Sequence, residues 1–254
     1  MPAVLRVSLT GGNPPATQPV HLPALFLDCL AAGDASLVAC LRDARPPRPY
    51  TLSRFYRRDG CWLWRVALLC DDLLGPLRAG LERLGTLPLA EALVPLDIAG
   101  IEVRQISYEE LLRQAAEERR LRLHFLSPTS FRTGLVSYPL PDPLVVFQSW
   151  WMHWNAFAPV KLERVLLDVA AVHMAIARHE LRTQVVDLSV GQAVGFVGSV
   201  TLLAVQAHRL GNKVLRRLNA LADYATFCGT GQRTAQGMGQ TRRCGRSVPD
   251  EKMR

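Results

Sequence analysis

The chain has 254 residues, 49% of them hydrophobic, and a formal charge of +8 at pH 7. That apolar content excludes a generally disordered chain and suffices for one large core or two small ones, and the positive balance favours nucleic acid or an anionic surface as partner. Six cysteines with no CxxC pair and no histidine-rich spacing give neither a zinc motif nor a disulfide framework, so reduced thiols in a cytoplasmic protein are expected, with no metal and no cofactor.

Residues 3–9 alternate apolar and polar side chains, as a half-buried strand does, and Gly11-Gly12-Asn13-Pro14-Pro15 ends the run. No basic segment with an apolar core and cleavage site opens the chain, and no apolar run reaches membrane-spanning length, so neither export nor a membrane anchor is expected. Leu22, Leu25, Phe26, Cys29 and Leu30 share one face of a helix predicted over residues 21–30, and a second short helix covers 35–41. After Pro46-Pro47-Arg48-Pro49, the β-prone runs 50–57 and 61–69 flank Asp59-Gly60, which supplies the two positive-φ positions of a type I′ hairpin turn. Leu73, Leu74, Leu77, Leu81 and Leu84 recur at helical spacing, and residues 98–106 alternate again. The order is β-α-β-β-α-β.

A charged helical stretch over 108–120 has little apolar face and suits an interdomain connector. The pattern then restarts. Leu121, Leu123 and Phe125 form a strand; helices are predicted over 145–157 and 162–181; strands follow over 182–188 and 196–205, then a helix over 209–227 and a last strand over 238–244. The expected architecture is α+β, two tandem ferredoxin-like (RRM-like, βαββαβ) domains at 1–108 and 121–246. Residues 109–120 form the connector and 247–254 a disordered tail.

Between the last helix and strand, Cys228-Gly229-Thr230-Gly231-Gln232-Arg233-Thr234-Ala235-Gln236-Gly237-Met238-Gly239 concentrates glycine beside Arg233, Arg242, Arg243 and Arg246. Glycine permits sharp turns and brings backbone N–H groups close to a phosphate, so the segment is read as a phosphate cradle. It is not a nucleotide-binding P-loop: a helix precedes it, and Gln232-Arg233 stands where Gly-Lys is needed. The basic residues are nearly all arginine, whose planar fork matches phosphate oxygens.

This glycine segment is one of several landmarks in a fixed order. They are Pro49-Tyr50-Thr51-Leu52-Ser53, Leu126-Ser127-Pro128-Thr129-Ser130-Phe131, Trp154-Asn155-Ala156-Phe157, Gly195-Phe196-Val197-Gly198-Ser199-Val200 and Asp223-Tyr224-Ala225-Thr226-Phe227, followed by the glycines themselves. On these residues, which span nearly the whole chain, the sequence resembles the CRISPR-associated repeat-processing endoribonucleases, the Cas-six family of RAMP proteins.

The resemblance implies two ferredoxin-like domains, a glycine-rich loop facing RNA, and metal-independent cleavage of CRISPR repeat RNA to guide RNA with a 2′,3′-cyclic phosphate. The cleaved hairpin would stay bound, alone or with other effector subunits. Such chemistry needs a base for the 2′-OH, groups that stabilise the phosphorane, and an acid for the departing 5′-oxygen. Many relatives carry a Leu-His step after the first helical region; here the corresponding step is Leu41-Arg42. Arginine stays protonated and cannot be the base, so His21, at the start of the first helix, becomes the candidate acid or base, with Arg42 and Arg48 as phosphate clamps. The RNA-binding candidates are Gly229, Gly231, Arg233, Thr234, Gly237, Gly239, Arg242 and Arg243. His124, His153, His173, His179 and His208 are read as structural or exposed, and Trp150, Trp151 and Trp154 as core. The alternative is a catalytically inactive RNA-binding subunit of a CRISPR effector assembly.

Overall fold

The computed structural model describes residues 1–14, 21–89, 94–187 and 191–245. The first half runs β1 (Ala3–Gly11), α1 (His21–Gly33), α2 (Ser36–Asp43), β2 (Tyr50–Leu52), β3 (Tyr56–Arg58), β4 (Cys61–Leu68), a 3-10 turn (Asp71–Leu73), α3 (Leu74–Leu84) and β5 (Leu96–Gln105). A short α4 (Tyr108–Gln114) leads into β6 (Arg120–Thr129), the hairpin β7 (Phe131–Thr133) and β8 (Val136–Tyr138), α5 (Pro143–Phe157), α6 (Val165–His173), β9 (Met174–Asp187) and β10 (Gln192–Ala204). A 3-10 turn (Ala207–Arg209), α7 (Asn212–Cys228), a second such turn (Thr234–Gln236) and β11 (Thr241–Arg243) complete the described chain.

Two antiparallel sheets result, ordered β2-β4-β1-β5 and β11-β6-β10-β9, with β3 also on β4. In both, the first and third strands of the repeat lie at the centre, the arrangement of a ferredoxin-like fold, so the expected α+β tandem is what the chain adopts. Strand alternation sends Ala3, Leu5, Val7 and Leu9 of β1 into a core with α1 and α3; Leu121, Leu123 and Phe125 of β6 enter a second core with α5 and α7.

The Asp59-Gly60 turn forms as its residues require, with φ of 49° and 83° and Arg58 opposite Cys61. The predicted 50–57 strand is interrupted, however. β2 and β3 both pair with β4 but are separate, because Ser53 turns inward: its N–H donates to Arg65 O at 2.9 Å and its Oγ accepts from Arg65 N at 2.9 Å.

A larger correction concerns residues 162–181. The helix ends at His173, and 174–181 belong to β9, which pairs with β10 from Met174↔Ala204 to Asp187↔Gln192. Leu166, Leu167, Ala170 and Met174 do sit at helical spacing, but long-range pairing overrides the local preference beyond Met174. The helix expected over 108–120 is likewise short. Ser107 caps it by accepting from Glu110 N at 3.0 Å, it ends at Gln114, and Tyr108 and Leu111 are buried in the C-terminal core. The final strand is three residues long, within the predicted 238–244, and the expected disordered tail 247–254 lies outside the described residues.

The two halves share a seam. Val4, Ala67 and Leu69 leave the N-terminal core and join the C-terminal one. Tyr108 Oη donates to Leu69 O at 2.8 Å and lies 3.1 Å from Tyr224 Oη, its ring edge-on to Trp154 at 5.0 Å.

Candidate active site

The site is built around the end of α7. A helix leaves its last carbonyls without partners, and here the other half of the molecule supplies them. Thr51 Oγ1, on β2, donates to Phe227 O at 2.9 Å, and the Arg65 guanidinium, from β4, donates to Thr226 O and, at 3.0 Å, to Gln240 Oε1. Gln240 Nε2 returns a bond to Leu52 O at 3.0 Å. A cation at the negative end of a helix dipole is favourable, so Arg65, although buried, is compensated.

The glycine segment follows directly, and its backbone is spent inside the protein. Thr230 N donates to Gly239 O at 2.8 Å, Gln232 N to Ser130 O at 2.9 Å, Gly239 N to Pro128 O at 3.0 Å and Gly231 N to Ser149 Oγ at 2.8 Å. Trp150 Nε1 holds Thr230 Oγ1 at 2.8 Å from below. At Gly231, with φ of +82°, a Cβ would stand 2.2 Å from Ser130 O; at Gly239, with φ of +70°, it would stand 2.2 Å from Thr230 O. The glycines are therefore needed for close packing of the segment on the strand before β7. This corrects the reading of Gly229, Gly231 and Gly239 as a phosphate cradle: Gly229 N donates to Ala225 O at 2.9 Å, and the N–H groups of Gly231, Gln232 and Gly239 likewise face protein oxygens. Thr234 is buried under the segment, and Gly237 is buried against the N-terminal half, where its missing Cβ leaves room for Leu22 Cδ1 and Arg54 Cγ, each 3.1 Å from that point.

What remains outward is Arg233, exposed in the left-handed region with φ of 59°, its guanidinium donating to Gln236 Oε1 at 3.2 Å. The 3-10 turn that follows packs on β2 and α1. His21, the exposed first residue of α1, directly precedes Leu22 and so stands beside this junction, at a helix N-terminus with no acidic residue in its first turn. Sequence reasoning missed Arg54. It follows the Tyr50–Leu52 strand, its stem lies on Gly237, and burial pushes its guanidinium below the usual value while Asp187 pulls it back up. The position next to the Pro49–Ser53 landmark was the only signal in the sequence. The 3-10 turn beginning at Thr234 thus brings the segment after Arg233 against α1, which His21 begins, and Gly237 against Arg54.

The other predicted residues fall elsewhere. Arg48 closes the C-terminus of α2, donating to Leu41 O and, at 3.5 Å, to Arg42 O, which commits it to bracing the helix. Arg42 is exposed in the last turn of α2. Arg243 is a correction: its side chain is 0% exposed and pairs with Asp223 at 2.8 Å and Glu118 at 2.7 Å, so it locks β11 to α7 and cannot reach RNA. Arg242 points to the opposite face of β11, beside His124, whose imidazole is held below its usual pKa by burial and by that guanidinium. His153 is buried, with Nδ1 2.8 Å from Ser149 O, and burial lowers its pKa. Arg246 lies outside the described residues. Among the described residues no three His, Cys, Asp or Glu side chains come together as a metal site, and no helix is long and apolar enough to cross a membrane.

Comparison with known proteins bears on this arrangement. The family model described as CRISPR-associated endoribonuclease Cas6 matches residues 123–241, from β6 to the start of β11. The CRISPR-associated endoribonuclease Cas6 of Mycobacterium tuberculosis is 22% identical over 234 residues, covering 89% of this chain and 72% of its own. A product complex of a Thermus thermophilus Cas6 superposes with a TM-score of 0.84 at 26% identity, covering 96% of this chain and 99% of that one. A Cas6-related protein from Pyrococcus furiosus, at 13% identity and a TM-score of 0.63, shares the fold over 97% of this chain and 99% of its own. The tandem fold, the ordered landmarks and the match through the glycine segment agree: the chain is similar to Cas6 proteins, by the family model over residues 123–241 and by solved structures over nearly its whole length.

Proposed function

We propose that this protein is an endoribonuclease that binds CRISPR repeat RNA and cleaves it to guide RNA without a metal ion. The observation that supports the reading is the junction itself: the turn that follows Arg233 packs on α1, the helix that His21 begins, and the Arg54 stem lies on Gly237. Its similarity to a protein described as a CRISPR-associated endoribonuclease, and to a Cas6 solved as a product complex, supports the substrate class.

In the proposed reaction the ribose 2′-oxygen attacks the adjacent phosphorus in line as His21 takes its proton. The P–O5′ bond breaks, the 5′-oxygen takes a proton from solvent water, His21 returns its proton to solvent, and a 2′,3′-cyclic phosphate remains. Arg54 and Arg233 face the charge that develops on the phosphorane oxygens, and Arg42, at the end of α2, contributes from the same half as His21. The hairpin product stays bound, in the cytoplasm, alone or with other CRISPR effector subunits. The cut between units falls in the 109–120 connector.

Labelled repeat RNA incubated in EDTA tests this. Cleavage is expected to persist, to give an acid-labile cyclic end, and to fall by about 10²- to 10⁴-fold in His21→Ala. Cleavage that needs a divalent ion, or that His21→Ala leaves unchanged, refutes the mechanism. A second reading, an RNA-binding subunit that does not cut, is favoured by Arg42 standing at the Leu-His step; tight binding with no product in the same assay selects it.

A further inference from the structure

The pairing register exposes a surface that the reaction does not use. One face of the C-terminal sheet packs on helices through Leu121, Leu123, Phe125, Phe196, Val200 and Leu202. The opposite face is buried at Val186, Ala193 and Val197 and exposed at Arg120, Arg122, Arg178, Glu180 and Arg182. On it, Arg242 lies beside His124, which pairs with Ser199 and then Glu180; the next row is Arg122, Thr201 and Arg178; Arg120 beside Leu203 follows. Arg182, opposite Val197, shares that face. Among the described residues of the four strands, Glu180 is the one acidic side chain there, against five arginines.

Two further observations mark this as a binding surface. Arg120, Arg122, Arg178 and Arg182 are exposed, Arg178 to 76% of its side chain, and the side chains of Arg120, Arg122 and Arg182 make no hydrogen bond or ion pair to any described residue. Arg120 and Arg122 are alternate residues of β6, about 7 Å apart, and Arg122 and Arg178 flank Thr201 about 10 Å apart, so their guanidinium groups repel one another until an anion neutralises them. The aromatic residues of the sheet, Phe125 and Phe196, point into the core, so this face offers charge and no stacking platform.

We infer that the arginine-bearing face of the β11-β6-β10-β9 sheet binds a single-stranded flank of the RNA through its phosphates, without reading sequence. The inference rests on the RNA-processing function proposed above. A duplex is a rigid convex cylinder and meets a flat sheet along one ridge, whereas a flexible single strand can follow a two-dimensional array of charges. Arginine without aromatic partners selects backbone over base.

The test compares one labelled repeat hairpin with and without a single-stranded extension, bound to wild-type protein and to an Arg120→Gln, Arg122→Gln, Arg178→Gln triple variant. All three side chains are exposed, and matching thermal unfolding of the two proteins confirms that the fold is kept. The variant is expected to bind the extended RNA about tenfold or more weakly, and its log K against log salt slope should flatten by about 2, as removal of three contacts to a single strand predicts. The blunt hairpin should show neither change. Unaltered affinity for the extended RNA overturns the inference, whatever other partner the variant loses, and so does an equal loss for both RNAs. If the wild-type protein binds neither RNA, the failure lies in the repeat-RNA reading itself.

Discussion

The two sheets of this protein have the same strand order and put the side of each sheet that faces away from its helices to opposite uses. In the N-terminal sheet that side is closed. Val4, Ala67 and Leu69 pack into the other half, and Arg6 and Arg65, directly opposite each other on β1 and β4, are both buried, Arg6 donating to Glu102 at 3.2 Å and Arg65 to the end of α7. In the C-terminal sheet it carries exposed arginines, of which Arg120, Arg122 and Arg182 make no hydrogen bond or ion pair to a described residue and Arg178 pairs only with exposed Glu180. Topology therefore does not decide what a face does. The decision lies in whether its charges meet carboxylates and helix carbonyls or water, since a buried guanidinium persists only where such partners surround it.

Substitutions can break this contrast. The largest effect is expected where a buried charge loses its partner: Arg243→Ala strands Asp223, 6% exposed on its side chain, and should cost about 3–5 kcal/mol, whereas Arg122→Gln on the arginine-bearing face should stay within about 0.5 kcal/mol. Urea unfolding of the two variants measures both, and equal midpoints would remove the distinction. Next comes Gly231→Ala, which combines a positive φ with a backbone clash and should destabilise by about 2–3 kcal/mol while loosening the segment beside Arg233. Arg65→Met should cost about 2 kcal/mol by leaving Thr226 O and Gln240 Oε1 without a donor, and should raise proteolysis between the halves; an unchanged digestion pattern argues that the apolar seam alone holds them.

The smallest effect separates buried His153 from exposed His21. Burial holds the folded pKa of His153 below the ordinary 6.5, so below that pH the unfolded chain binds a proton that the folded chain resists. The stability it contributes is whole above pH 6.5 and is lost as pH falls through the folded pKa. His153→Phe should flatten that slope and leave cleavage of repeat RNA, measured beside His21→Ala, unchanged; a stability profile untouched by His153→Phe would remove the assignment.

Much of this was legible beforehand where local chemistry decides. Asp59-Gly60 demands its turn, Leu73 to Leu84 announce a helix face, and the family landmarks fix the tandem fold. What the sequence hid was set by distant partners. Residues 174–181, Met-Ala-Ile-Ala-Arg-His-Glu-Leu, favour a helix by composition and become a strand only because β10 pairs with them. The glycines of 229–239 signalled unusual backbone but not where their N–H groups would point, since Pro128, Ser130 and Ser149 lie some eighty or more residues away in the chain. The same limit applied to arginine. Arg48, Arg233, Arg242 and Arg243 look alike in sequence, yet one braces a helix, one is exposed at the junction, one lies on the arginine-bearing face of the C-terminal sheet and one is sealed within the core.

The last turn of α7 is finished by Thr51 and Arg65, more than a hundred and fifty residues earlier in the chain. Neither moiety is thus self-sufficient: a fragment beginning at α4 would retain every family landmark after residue 120, yet its terminal helix would fray and the loop bearing Arg233 would lose its footing. Competence to process a transcript would then be a property of the intact polypeptide, acquired only when the first-made portion docks onto the last.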